Sequence, residues 1–474
     1  MNKSSEPDPR APRSIGSRLE LMIDDYLIER LDGTSLRLQT PQKMPLAKSP
    51  LIGSYATVIK DGDLYRAIYR ANDPNYTGKR FDGDRGVMTC YAESRDGHEW
   101  TFPELGLFDL EGSRANNIIL HETPACHTFA PFLDTRPGVP SSERFKALAG
   151  LHEEAIRVSR QLDPEAMSPD TKGGLYAFVS PDCIHWRKLS PDPVIPSEAS
   201  GEFGFDSQNV SFWSETEGCY VCYFRSWQMQ NGQSFTWTAD LLRTLRRVTS
   251  PDYRTWSAPQ ILFPNEPNEH LYTSQTHPYF RAPHIYIATP TRFMANRGDS
   301  TDILLMTARS DSPYRRTFKE AFIRPGPDPA RWGNRANYVA LNVVPTSPTE
   351  MSIYHDHSGH RFVLRTDGFA AVHAPYTGGE MLTRPFTFTG SKLILNLSTS
   401  AAGSIRVEIQ NAQGQPLPGF GLNDCNEIIG DEIARPVTWK QGSDVSALAG
   451  QTVRLRFVMK EADLFALQFR VENQ

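Results

Sequence analysis

The sequence predicts an all-β fold, a five-bladed β-propeller followed by a β-sandwich. Three observations lead there. One turn motif recurs at five places, each time after a strand-like run. Glycine and proline are abundant, 33 and 36 among 474 residues, while long helical patterns are few. After about residue 372 the apolar alternation changes texture and the motif stops. Many short strands joined by turns, with a repeat, mark an all-β chain built from similar small sheets.

The motif is SRDGHEW (Ser94–Trp100), and it returns as SPDCIHW (Ser180–Trp186) and SPDYRTW (Ser250–Trp256). Weaker copies are SDSPYRRTF (Ser310–Phe318) and RTDGF (Arg365–Phe369). The runs before them are VMTCYAE, LYAFV, LLRTLRRV, ILLMTAR and RFVLR. Each copy therefore reads as a tight turn leaving one strand, with an aromatic opening the next. Two more strand candidates precede each turn: YATVIK and LYRAIYR, TFAPFLD and RFKALAG, NVSFWSE and CYVCYFR, HPYFR and HIYIAT, YVALNVV and EMSIYH. Four strands per unit, repeated every 50–85 residues or so, fit the blades of a propeller.

Three regions follow from this reading. Residues 1–30 form an N-terminal segment whose LELMIDDYLIER run supplies a strand that closes the ring or lies under it. Residues 31–372 form the five-bladed catalytic domain. Residues 373–474 form the sandwich, with strands in KLILNL, SIRVEI, TVRLRFVM and LFALQFRV.

Composition narrows the function. Hydrophobic residues are 39% and charged residues 22%, with a net charge of −5 that is not blocked into tails. That speaks against nucleic acid or an anionic membrane as partner. No stretch reaches the ~18 apolar residues of a membrane span. The first residues have no apolar core, so the expected location is cytoplasmic, or secreted or periplasmic if a leader precedes them. Six cysteines show no disulfide-framework spacing. Cys219 and Cys222 make a CxxC, but in a strand residues three apart point to opposite faces, so a metal or redox role is not expected. The run HDHSGH (His355–His360) has metal-like spacing but reads as a polar turn between strands. No metal site and no cofactor are expected, apart from a possible structural ion on the propeller axis.

The architecture with its S-x-D-G-x-x-W turns resembles the propeller glycosidases, the group of β-fructosidases, arabinanases and xylosidases. The stretches DSQN…YFR, LYTSQT…YFRAPHIYI and FKEAFIRPG also resemble bacterial proteins described as glycosidase-like. The resemblance implies an acid at the start of the innermost strand in blades one, two and three. Here those starts read GSYATV, CHTFAPF and FDSQNV, so only Asp206 keeps a carboxylate. NDPN (Asn72–Asn75) imitates a β-fructosidase nucleophile motif, but it follows the second strand of blade one and reads as coincidence.

Propeller topology puts the entries of the inner strands and the loops after the second strands on one rim. A glycosidase needs two carboxyl groups there, one to protonate the leaving oxygen and one as base or nucleophile. Asp206, entering the inner strand of blade three, and Glu269, just before that of blade four, are the expected catalytic pair. Asp84, Glu153 and Glu154 are reserves. The expected sugar-binding groups are Tyr55, Arg70, Gln208, Asn209, Arg225, His277, Trp332, Arg335 and Asn337. Asp73, Asp82, Arg85, His127, Trp227, Tyr272, Gln275, Arg292, His355 and His357 fall on the same rim. The reading is a glycoside hydrolase acting on an oligo- or polysaccharide. A non-catalytic carbohydrate-binding propeller, and a glycan phosphorylase or lyase on the same scaffold, remain open. Oligomeric state is not legible.

Overall fold

The computed structural model describes residues 11–230, 238, 240–310, 312–333 and 335–471. The protein is all-β; among the described residues the only α-helices are Ala125–Thr128 and Glu153–Leu162. The chain divides into two compact units, one of residues 41–363 and one of residues 1–40 with 364–474.

The 41–363 unit is a succession of small antiparallel sheets. The first holds Ser54–Asp61, Leu64–Asn72, Val87–Ser94 and Ile118–Leu120. The second holds Ala130–Leu133, Phe145–Ala149 and Gly174–Ser180, the last pairing with both Arg187–Lys188 and Ile195–Pro196. The third holds Val210–Ser214, Cys219–Met229, Leu241–Ser250 and Gln260–Leu262. The fourth stretch splits into two three-stranded sheets. His277–Tyr279, Ala282–Ala288 and Met306–Arg309 make one, and His270–Leu271, Thr291–Met294 and Ser300–Ile303 the other. The fifth sheet orders Val344–Pro345, Glu350–Tyr354, Arg361–Arg365 and Gln42–Lys43.

First strands of successive sheets lie together: 54–61 beside 130–133, that strand beside 210–214, and 210–214 beside 277–279. Val344–Pro345 returns to 54–61, next to a parallel bridge between Thr57 and Leu341. Side-chain amides bind these entries. Gln208 donates to the carbonyls of Tyr55 (2.8 Å) and Ala56 (3.3 Å) and to the Thr57 hydroxyl (3.1 Å). Gln275 donates to Gln208 Oε1 (2.6 Å) and to the carbonyl of Val339 (2.8 Å). Both glutamines are buried, so these bonds form where water does not compete.

The recurring turn is one structure in three sequences. The serine hydroxyl accepts the amide three residues on, at 2.9 Å from Gly97, 2.9 Å from Cys183 and 2.8 Å from Tyr253. The aspartate accepts the amides two and three residues on, as Asp96 does from His98 (2.8 Å) and Glu99 (3.0 Å). The residue after the aspartate is left-handed in each, with φ of 69° at Gly97, 68° at Cys183 and 64° at Tyr253. A glycine would be the easy choice there. Cys183 and Tyr253 bear the strain because both side chains are buried in the sheets below. In the fourth copy Asp311 lies outside the described residues. After the fifth, Arg365–Phe369, the chain enters Ala370–Ala374, which pairs with Ser35–Leu38 and with Val453–Arg470.

That pairing corrects the expected organisation. LELMIDDYLIER lies in the other unit, where Glu20–Leu21 pairs with Leu467 and Ala466, and Ile28–Asp32 pairs with Gly379–Thr383. The N-terminal strand that completes a sheet of the 41–363 unit is Gln42–Lys43 instead. The division falls at 363/364 and not near 372. The second unit is one ten-stranded sheet organised on the long pair Lys392–Asn411 and Val453–Arg470. Its core includes Trp439, whose indole donates to the Val407 carbonyl (3.1 Å), and Phe388 stacked on Phe469 at 3.7 Å.

Candidate active site

The entries to the first strands of three successive sheets place Tyr55, His127 and Asp206 side by side. Tyr55 sits at a bulge between Ser54 and Thr57 and has φ 48°. His127 is held in the short helix Ala125–Thr128, and Asp206 follows Phe205, whose φ is 69°. Gln275 (φ 48°) and Arg335 (φ 55°) repeat the strain at later entries. Left-handed backbone at non-glycine residues costs on the order of 1 kcal/mol each and persists where surrounding contacts impose it.

His127 Nε2 lies 3.4 Å from Asp206 Oδ1 and 3.6 Å from Asp82 Oδ1, and one ligand atom from each of the three residues lies within 4.8 Å of the others. Arg225 donates from Nη2 to Asp206 Oδ2. Arg70 Nη1 lies 3.3 Å from both ring nitrogens of His127. The two carboxyls are driven apart in acidity. Burial opposes the charge of Asp206, but the Arg225 guanidinium and His127 outweigh it and hold the group well below the usual carboxylate range. Asp82 is raised, first by burial and then by the Asp206 charge. Its side chain is half open to water, which tempers the shift. Opposite shifts in adjacent carboxyls give one ionised group and one group that keeps its proton longer.

Beside this cluster is a cavity of about 270 Å³ lined by Ser54, Tyr55, Arg70, Tyr272, Arg335, Tyr338, Asp356 and His357. Its aromatics meet edge to face, Tyr55 to Tyr338 at 6.3 Å and Tyr272 to Tyr338 at 5.6 Å. Arginines lie over the rings, with Arg70 Cζ 4.5 Å from Tyr55 and Arg225 and Arg243 each 4.9 Å from Tyr272. Asp356 is buried, and burial pushes its carboxyl up to about 7. The amides of Tyr55 and Ala56 face it and pull the other way, but neither reaches hydrogen-bond geometry with its oxygens.

Several expected binding groups are elsewhere or already engaged. Tyr55, Arg70 and Arg335 line the cavity, and Arg225 supports Asp206 and Tyr272. Gln208 is consumed by the ties between strand entries. Asn209 is fully buried and donates to the carbonyls of Phe205 and Ser207. His277 is neutral, lowered to about 4 by burial, with Nδ1 on the Gln275 carbonyl and Nε2 accepting the Val343 amide. Asn337 bonds Arg331 and Thr301. Trp332 is exposed, and its indole donates to the Gly326 carbonyl (2.8 Å).

Glu269 needs the largest correction. Its side chain is 3% exposed and its carboxylate is taken by Arg316, with Arg292 at 3.8 Å and the Glu266 amide at 2.9 Å. No hydrogen bond or ion pair joins it to Asp206 among the described residues. The neighbouring carboxyl of Asp206 is Asp82. The reserves are also structural. Asp84 accepts Arg80 and the Gly86 amide, Glu153 the Gly173 amide, and Glu154 pairs with Arg157.

Asp82, His127 and Asp206 form the only cluster with cation-ligand spacing among the described residues. Arg225 and Arg70 already crowd the donor atoms of Asp206 and His127, and their charge opposes a cation there. The residues of HDHSGH do not form such a cluster. His355 bonds Ser358, Asp356 is buried, and His357 lies at the cavity.

No protein-family model matches the sequence, and no curated protein matches it. Solved structures do. A family 43 arabinoxylan arabinofuranohydrolase from Bacillus subtilis is 13% identical, with 90% of this chain and 96% of that one covered at a TM-score of 0.42. A β-1,2-mannobiose phosphorylase from Listeria innocua is 11% identical, with 69% and 93% covered at 0.44. An N-acetylgalactosamine deacetylase from F. plautii is 11% identical, with 90% and 95% covered at 0.40. The chain is thus similar, at low identity, to solved structures of glycosidases and other carbohydrate-active enzymes.

Proposed function

We propose that the protein is a glycoside hydrolase whose 41–363 unit is a five-bladed propeller and whose second unit is a β-sandwich. Five successive sheet groups with neighbouring first strands support the propeller. The observation that carries the function is the carboxyl pair Asp82 and Asp206, shifted in opposite directions beside an aromatic cavity. Asp82 delivers the proton to the leaving oxygen. Asp206, ionised and steadied by Arg225, attacks the anomeric carbon. Oxygens within 4.8 Å of one another match the short spacing, about 5 Å, of retaining enzymes and leave no room for a water between. Tyrosine rings cover the apolar face of the sugar. No organic cofactor enters this chemistry.

The test is a panel of nitrophenyl glycosides and of plant and algal glycans, with the product anomer followed by NMR. Turnover with retained configuration, abolished in Asp206→Asn, is expected. Binding without turnover across the panel would show a carbohydrate-binding protein instead.

A further inference from the structure

The cavity carries more positive charge than its acids can balance. Arg225 is paired with Asp206, but Arg70, Arg243 and Arg335 have no carboxylate within ion-pair distance among the described residues. Arg225 is 2% exposed and still has Nε and Nη1 without a partner, and Arg70 and Arg243 each leave Nε unpaired. Two phenols add to this set. Tyr55 and Tyr338 line the cavity, and their hydroxyls make no hydrogen bond among the described residues. Burial holds both well above the ordinary phenol range, so they stay protonated and can only donate to an anion.

A second cavity, of about 500 Å³, meets the first at Arg335 and is lined by Trp227, Arg243 and Phe293. Arg243 stacks on Trp227 at 4.3 Å and on Phe293 at 5.3 Å, which fixes its guanidinium plane. Like charges gathered this closely repel, and Arg243 is lowered to about 10, by burial first and then by Arg225. Planar guanidinium forks with free N–H groups, next to phenol donors, are the usual means of gripping a carboxylate or sulfate.

We propose that this cavity is an oxyanion subsite for an acidic sugar, so that the glycan taken is one bearing uronate carboxylates or sulfate esters. The inference rests on the carbohydrate reading above and adds the substrate class. Arg70 and Arg335 clasp the acidic group, and Tyr55 and Tyr338 donate to it, while the ring lies toward Asp82 and Asp206.

Isothermal titration of the wild-type protein with monosaccharides tests it, because no bond need be cleaved. Glucuronate, galacturonate, mannuronate and glucose 6-sulfate are compared with their neutral parents. At least one acidic sugar is expected to bind tenfold or more tightly than its parent, and more weakly as salt is added. Arg335→Ala and Arg70→Ala should each weaken that binding tenfold or more at an unchanged melting midpoint. Arg335→Lys keeps the charge without the fork, and should fall between wild type and Arg335→Ala. Equal affinity for acidic and neutral sugars, binding of inorganic phosphate or sulfate alone, or indifference to both arginine variants would overturn the proposal. Acidic sugars that bind while no glycan is cleaved would leave the subsite standing and remove the hydrolase. Cleavage of neutral glycans with no affinity for acidic sugars would do the reverse.

Discussion

Asp82 and Asp206 reach the same nitrogen of His127, at 3.6 and 3.4 Å, from two different sheets' loops. Only Asp206 also has an arginine at ion-pair distance, and that guanidinium helps hold its carboxyl low while Asp82 is raised.

If Asp82 is the acid, Asp82→Asn should lower kcat by about 10²–10⁴ on substrates with poor leaving groups. The loss should largely vanish with a dinitrophenyl leaving group, which needs no proton. Asp206→Asn should be inactive on both. Rates measured on the two substrate types separate these cases.

The same division sets the pH profile. Asp206 stays ionised well into acid, so activity should hold as pH falls. Asp82 is raised, so activity should fall as pH rises through its displaced pKa. In Asp82→Asn the alkaline limb of kcat/KM should flatten, and an unchanged limb would assign it to another group.

Asp356 makes a prediction about stability. Its folded pKa of about 7 lies above the ordinary 3.8, so between those values the folded protein holds a proton that the unfolded chain has lost. Stability from this group is therefore present below about pH 4 and lost as pH rises to about 7. The charged or titratable groups around it are Arg70, Arg335 and His357, the last lowered by burial. Asp356→Asn should gain on wild type between pH 4 and pH 8 by an amount on the order of 4 kcal/mol, read by urea denaturation at each pH. Parallel curves for the two proteins would show that Asp356 is not neutral when folded.

Glu269 predicts a structural phenotype. Glu269→Gln leaves Arg316 buried without a charged partner, a loss of about 3–5 kcal/mol. Well below the melting midpoint, kcat should stay within roughly threefold of wild type, since the group does not touch the reacting atoms. A large fall in kcat with normal stability would restore Glu269 to the chemistry.

Gln208→Ala removes donors from three backbone or hydroxyl acceptors and strands Gln275. A loss of about 2–4 kcal/mol is expected in chemical denaturation.

The sequence showed the strand order and the serine–aspartate turns because both rest on local chemistry: alternation, and a side chain bonding amides two and three residues on. Of the residues expected from strand entries, Tyr55, Arg70 and Arg335 line one cavity, and Asp206 lies beside His127. The expectation failed for Gln208, Asn209, His277 and Asn337, since a polar side chain at a strand entry can as well serve a neighbouring carbonyl or amide. Nothing local distinguishes the two uses. Asp82 lies in a loop between strands, so no periodicity points to its partner. Asp356 sits in a run that reads as solvated, and only the packing of Tyr55 and Tyr338 around it makes it buried. Arg243 is interior to a strand that its sequence describes as amphipathic, and its stack on Trp227 depends on the adjacent strand's register.

The pairing of Gln42–Lys43 with Phe362 and Val363 has a consequence for biosynthesis. It brings both ends of the 41–363 unit together, so that unit is an insertion within the other one. During translation the inserted unit has all its strands once residue 365 has emerged, whereas the strands within 13–38 must wait for partners at 370–388 and, for Glu20–Leu21, for Val453–Arg470. The N-terminal segment therefore stays unpartnered on the nascent chain while the inserted unit folds. Because the two junctions adjoin, the inserted unit can be excised as one continuous piece, leaving two flanks that a short linker could rejoin.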